Sequence, residues 1–244
     1  MALVPPDPAS EAMEEEESQV CLPEHCFHAF DALFCSLTSK RPIAPNFPDE
    51  KYPLFVTWNT TRPGRSPRLR GCIGNFEPLP LREGLAEYAL ISAFRDTRFR
   101  KIEEHELETL ECGISLLTDF EEAASYLDWT IGVHGIRISF ANPVLLPQTS
   151  DRSEVSSPLS SSSFLPTRSS LKQSFSATYL PEIAPEQGWD HVETIDSAIR
   201  KAGWNGRITE ELRRSIKLRR YQSKKCTVHW EDYVHWRKQH GGKM

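Results

Sequence analysis

Residues 59 to 67 gather asparagine, threonine, proline and glycine between two apolar runs, Leu54-Phe55-Val56-Thr57-Trp58 and Leu69-Arg70-Gly71-Cys72-Ile73-Gly74-Asn75-Phe76. β-Branched and aromatic residues on both sides of turn chemistry predict a hairpin, so these two strands run antiparallel. The rest of the pattern must fit that start. Helical spacing of Phe27, Phe30, Leu33, Phe34 and Leu37 predicts a helix from Glu24 to about Ser39, ended by Pro42, Pro45 and Pro48. Leu81, Leu85, Tyr88, Ala89 and Ser92 predict another from Pro80 to about Arg95, with a short helix over Glu103 to Leu110. Alternating Cys112, Ile114 and Leu116 read as a strand, and residues 121 to 126 as a short helix. Two strands are expected about a Val133-His134 turn, the second carrying Ile136, Ile138 and Phe140.

Later in the chain, Asp190 and Glu193 have capping-box spacing before the stripe Ile195, Ala198, Ile199 and Ala202, and Gly203 suits the stop. A short helix near Thr209 to Arg213, strands at 215–221 and 226–230, and a terminal helix complete the series. Strands and helices alternate irregularly, without a βαβ rhythm, which selects an antiparallel α+β class. Two stretches stand outside it. Residues 1–20 combine Pro5, Pro6 and Pro8 with Glu14 to Glu17, and residues 142–177 are rich in serine and proline; both compositions predict disorder.

The formal charge of -5 gives no global attraction to nucleic acid or anionic lipid. No apolar run approaches the roughly 20 residues that a membrane span needs, and the N-terminus lacks the pattern of a signal peptide. Six scattered cysteines in such a chain read as free thiols, which suits an intracellular protein of the cytoplasm or nucleus.

In an extended Leu69 to Phe76, Arg70, Cys72, Gly74 and Phe76 share one face. A guanidinium beside a thiol favours the thiolate, and bare backbone at a glycine admits a ligand, so the strand suits a nucleophile or a carboxylate-holding pocket. The same residues also allow a plain reading. Leu69 and Ile73 would then fill the core, Cys72 would be a small inert hydrophobe, and the glycines would mark a bulge.

LRGCIG at 69–74, Asp96-Thr97-Arg98-Phe99, Gly132 to Ile136, Tyr179-Leu180-Pro181-Glu182 and Glu186 to Asp190 together closely resemble the AMMECR family, in order from about Cys26 to Tyr233. The resemblance implies two antiparallel α+β lobes, the larger from about 21–76 and 134–240 and the smaller from 77–133. It also implies a cleft between them into which the LRGCIG side chains point. Such a cleft suits an enzyme acting on a protein or other sizeable substrate, or a non-catalytic adaptor for a peptide or protein. Family analogy suggests Memo-type or radical-SAM proteins as partners, and a nuclear setting in animals. Residues 142–177 are an insertion relative to the usual family pattern.

On the enzyme reading Cys72 is the nucleophile, with His134 as its base and Glu182 as orienter, while Arg70, Gly71, Gly74 and Glu182 bind substrate. The alternative places Val133 and His134 as outward-pointing turn residues. Cys21, His25, Cys26 and His28 have zinc-like spacing but no second pair, and Phe27 and Phe30 belong to a buried stripe, so no metal is assigned and no cofactor is named. Arg213 to Lys225 contains no acid. Its Ile216 and Leu218 alternate with Lys217 and Arg219 as in a half-buried strand, which is preferred to a nucleic-acid strip.

Overall fold

The computed structural model describes residues 20–145 and 173–244. The expectations for 1–19 and 146–172 lie outside the described residues. Among the described residues the chain begins with α1 (Pro23–Thr38), β1 (Lys51–Arg62), β2 (Arg65–Pro80) and α2 (Leu81–Phe94). A 3₁₀ turn (Glu104–Thr109), β3 (Leu110–Glu122), β4 (Gly135–Ala141), a second 3₁₀ turn (Pro143–Leu145) and β5 (Ser174–Tyr179) follow. Then come α3 (Ile183–Gln187), α4 (His191–Lys201), α5 (Glu210–Arg214), β6 (Lys217–His229) and α6 (Trp230–Gln239). The strands are hydrogen-bonded in the order β2-β1-β3-β6-β4-β5. β1 pairs antiparallel with β2 and β3, and β4 with β5 and β6, so the α+β class holds.

The chain divides into two compact units, residues 1–118 with 223–244, and residues 119–222. These boundaries differ from the expected lobes, 21–76 with 134–240 and 77–133. The reason is packing: Leu81, Leu85, Ala89 and Ala93 of α2 enter the same core as Leu54, Val56 and Trp58 of β1, which keeps residues beyond 76 with the hairpin. Trp58 is fully buried and its indole N–H donates to the Ala89 carbonyl at 3.0 Å, satisfying the one polar atom that its burial would strand. In the same core α1 and α6 bring Phe30, whose ring also meets Trp58, and Tyr233 into a stacked pair.

A buried ion pair anchors α6 to α1. Arg237 and Asp31 are 2% and 1% exposed and hydrogen-bonded to each other. The Tyr233 hydroxyl and the Ile43 N–H also donate to Asp31, at 2.9 and 2.7 Å, while Arg237 donates to the carbonyls of Arg41 and Lys243. Every charge taken from water is thus given several partners.

In the second unit Ile136, Ile138 and Phe140 of β4 pack with Ile195, Ala198 and Ile199 of α4. Asp190 caps α4 as expected, accepting from Glu193 N–H at 2.8 Å while Glu193 returns the bond to Asp190 N–H at 3.0 Å. Three local expectations fail. Residues 121–122 continue β3 instead of starting a helix, because Phe120 stacks on Tyr221 of β6 and Glu121 pairs with Arg220. The strand expected just before the Val133-His134 turn is absent: no strand lies between β3 and β4, and residues 130–134 form a turn closed by His134 N–H on the Thr130 carbonyl. The two strands expected at 215–221 and 226–230 are one, β6.

The expected disordered stretch 142–177 is ordered at both ends. β5 begins at Ser174, and buried Asn142 donates its N–H to the Gln173 carbonyl at 2.9 Å. Phe140 and Phe175 stack across that junction, an apolar gain which a count of serines and prolines does not register.

Candidate functional site

The sheet of the first unit has two unlike faces. Val56, Trp58, Cys112, Ile114 and Val228 point into the core. By strand alternation the neighbours of these residues, Phe55, Thr57, Asn59, Glu111, Gly113, Ser115, Thr227 and His229, occupy the other face, which is polar apart from Phe55 and the Phe76 ring it packs against. Cys72 joins that face as the cross-strand partner of Thr57, which in turn faces Gly113. The Thr57 hydroxyl donates to Cys72 Sγ at 3.1 Å. Further along β1, Asn59 Nδ2 donates to Glu111 Oε1 of β3 at 2.9 Å, and His229 Nε2 of β6 lies 3.6 Å from Glu111 Oε2. The Glu111 side chain is 10% exposed, whereas His229 and Thr227 are open to solvent.

Cys72 lies on β2, the outermost strand of its side, and its N–H and C=O point off that edge. Both are taken by side chains from the turn after α2: Asp96 Oδ2 accepts from Cys72 N–H at 3.0 Å, and Arg98 donates to the Cys72 carbonyl at 3.1 Å. The Asp96 carboxylate also accepts three bonds from Arg98, two from the guanidinium at 2.6 and 2.9 Å and one from the N–H at 3.2 Å. The pair therefore does for Cys72 what a further strand would do, and it closes the edge there to strand addition.

Hydrogen bonds from Arg98, with a further contribution from the Cys72 N–H, hold the Asp96 carboxyl down at about 2 against the opposing effect of burial. Its folded pKa thus lies below the unfolded value of about 3.9, so this stabilisation is complete above about pH 4 and is lost as pH falls towards 2. An Asp96→Asn protein should lose stability at neutral pH and show a flatter decline between about pH 4 and pH 2, read from urea midpoints across that range.

Arg70 is the residue the alternation argument misplaces. Trp58 faces Gly71 and Asn59 faces Leu69, so Arg70 is the extra residue of a β-bulge and strict alternation does not run through it. Its guanidinium is bound to both Glu106 carboxylate oxygens at 2.8 and 2.9 Å and to the carbonyls of Arg100 and Lys101. Burial acts to raise the Glu106 carboxyl, yet the bonds from Arg70 hold it below the usual carboxylate range. Arg70 thus fixes the segment that follows Asp96-Arg98, while the arginine bonded at Cys72 is Arg98.

Neither glycine leaves room for a ligand at its α-carbon. A methyl on Gly71 would overlap the Ser92 carbonyl of α2, and one on Gly74 would overlap the Phe55 ring and the Leu54 carbonyl. Gly113 differs: a methyl there would stand 3.7 Å from the Thr227 hydroxyl, an ordinary contact on the open polar face.

His134 and Glu182 belong to the second unit. His134 Nδ1 accepts from the Thr130 N–H at 2.9 Å and so closes its own turn. Glu182 stands at the start of α3, near the phenol of Tyr221. Burial foremost, and then the Glu182 charge, push that phenol well above its ordinary range; its O–H donates to the Tyr179 carbonyl at 3.0 Å.

The zinc-like quartet is not gathered. His25 Nδ1 accepts from Leu22 N–H, Cys26 Sγ approaches the Cys226 carbonyl at 3.3 Å, and His28 Nε2 meets the Arg82 carbonyl at 2.8 Å. In the basic stretch 213–225, Arg213 pairs with Asp196 and Glu210, Arg214 with Glu210, Arg219 with Glu122, and Arg220 with Glu121 and Asp128. Thr57, Asn59, Asp96, Arg98 and Glu111 were not among the expected site residues. Asp96 and Arg98 had a signal in the family-like Asp-Thr-Arg-Phe segment, whereas the others needed the strand register.

Fold and site together define an antiparallel α+β protein with a thiol on a polar sheet face. The chain belongs to the AMMECR1 family, whose sequence model matches residues 24–167 and 168–226. It is 42% identical over 211 residues to an uncharacterized protein of Arabidopsis thaliana, covering 86% of each chain. An uncharacterized Schizosaccharomyces pombe protein is 34% identical over 218 residues, covering 87% of this chain and 95% of its own length. The crystal structure of an uncharacterized protein from Pyrococcus horikoshii superposes with a TM-score of 0.58 at 23% identity, over 87% of this chain and 91% of that one, which shows the shared fold.

Proposed function

We propose that this AMMECR1-family chain binds a polypeptide partner on the polar sheet face around Cys72. The observation that carries the reading is the contrast between the two faces: one is sealed by helices, while the other presents Thr57, Asn59, Cys72, Thr227 and His229 around Gly113, which has no side chain. A surface with interspersed donors and acceptors and a low glycine floor suits the amide groups of an extended chain better than a compact ion. Memo-type or radical-SAM proteins are the partner classes that family analogy supports. An intracellular setting, cytoplasm or nucleus, belongs to the same reading, supported by six cysteines that are all unbridged. None of the described helices is long and apolar enough to cross a membrane.

The Thr57 hydroxyl bonded to Cys72 Sγ favours a second reading, in which the thiol reacts with the bound polypeptide. Cys72 is also only half-buried, whereas Cys21, Cys26 and Cys112 are buried. One experiment addresses both readings. Binding of the purified chain to an array of short unstructured peptides should be selective, and Thr227→Arg should weaken it about tenfold, roughly 1.4 kcal/mol. Cys72→Ser should retain that binding; if it also abolishes a chemical change in the peptide, the second reading holds. Absence of selective binding by the unaltered chain, or indifference to Thr227→Arg, would sink the proposal.

A further inference from the structure

The tip of the β1–β2 hairpin carries charge that the fold leaves unbalanced. Pro63 and Gly64 make the turn, with Gly64 at φ 71°, and Arg62 lies directly opposite Arg65. Like charges in a cross-strand pair destabilise a hairpin. Arg68 adds a third guanidinium, opposite Thr60, and Arg62, Arg65 and Arg68 have no ion-pair partner among the described residues. In a chain of net charge -5, three exposed arginines flanking Pro63 and Pro67 form a local cationic, proline-bearing finger.

The same unit has a groove of opposite character. It lies between the start of α1, the loop 44–48 and α6, and encloses about 710 Å³. Its floor is aromatic: Phe27 and Trp236 stack with ring centres 5.3 Å apart, and Phe47 closes one side. Its ionised lining residues are Glu24 and Asp232, and no lysine or arginine is among them. His28, His235 and His240 supply the other titratable groups, and the nearby Arg82 guanidinium is bound to the Phe47 carbonyl. Apolar rings beside two carboxylates suit a proline flanked by arginine side chains.

We infer that the Arg62-Pro63-Gly64-Arg65 finger of one copy docks in the α1–α6 groove of a second copy, giving weak self-association. Charge selects this occupant over the chain's own first residues, whose Glu14 to Glu17 run would meet Glu24 and Asp232 with like sign. The finger and the groove are different surfaces, so each copy can give one and accept one, and the contact is head-to-tail. A hairpin tip buries little area, so the association belongs to the weak class and fades with added salt.

Sedimentation of the full chain over rising concentration tests this. The expected result is salt-sensitive self-association, weakened at least about tenfold by Arg62→Glu with Arg65→Glu, and likewise by Glu24→Lys with Asp232→Lys. Each doubly substituted protein alone should be monomeric with an unchanged circular-dichroism spectrum. An equimolar mixture of the two should associate again, because acidic finger then meets basic groove and basic finger meets acidic groove. The inference is overturned by a monomer at all concentrations, by association that survives either pair of substitutions, or by a mixture that stays monomeric. It is equally overturned if removal of residues 1–19 abolishes the association, since the acidic tail would then be the partner of the finger.

Discussion

Arg237→Met should lower stability by about 3–5 kcal/mol, because it leaves the buried Asp31 carboxylate without its cation. The Tyr233 hydroxyl and Ile43 N–H remain as donors, but neither brings a charge to replace the guanidinium. For a chain of this size a loss of that order lowers Tm by roughly 6–20 °C, and urea unfolding would give the free energy directly. Replacing both partners, Asp31→Leu with Arg237→Met, should recover a large part of the loss, since no charge is then buried alone. A single-variant loss below about 1 kcal/mol would mean that water reaches Asp31 and that the pair is not sealed as described.

The second large effect lies under the LRGCIG motif. Gly71→Val should cost about 3 kcal/mol or more, because its β-carbon meets the backbone carbonyl of Ser92 and not a side chain that can swing aside. The helix that holds Ala89 for Trp58, and that precedes Asp96 and Arg98, would have to move with it. Gly74→Ala meets the Leu54 carbonyl as well as the Phe55 ring and belongs in the same severe class. Gly113→Ala serves as the control on the same sheet and should cost no more than about 1 kcal/mol. Thermal melts of the three variants would decide the order; a Gly71→Val protein as stable as Gly113→Ala would show that α2 does not rest on the motif.

Much of the fold could be read from local pattern. The hairpin, α1, α2, α4 and the terminal helix follow from spacing and capping, which depend on neighbours in sequence. What failed depended on distant partners. Residues 121–122 remain strand because Tyr221 and Arg220 lie beside them, almost a hundred positions away. The β5 strand was hidden by serines whose alternate neighbours, Phe175 and Ala177, are buried. At the site, Cys72 was legible as a strand thiol near an arginine. The arginine expected there was Arg70, and a one-residue bulge, invisible to simple alternation, coincides with its engagement on Glu106 while Arg98 takes the position at Cys72. Gly71 and Gly74 were expected to bind substrate, Gly74 as bare backbone that another chain or a ligand could approach. The partners that approach them are the α2 backbone and the Phe55 ring, which only the folded chain brings there.

The division of the chain into units also bears on its synthesis. The first unit is assembled from residues 1–118 and 223–244, whereas the second is one continuous run, 119–222. As the polypeptide leaves the ribosome, the second unit is complete in sequence while the first still lacks half of β6, all of α6 and the counterion of Asp31. Its hydrophobic face must therefore wait, exposed, for residues 223–244, an interval in which chaperones have their opportunity. A chain truncated before residue 223 would keep the Cys72 motif but lack the segment that completes the core behind it.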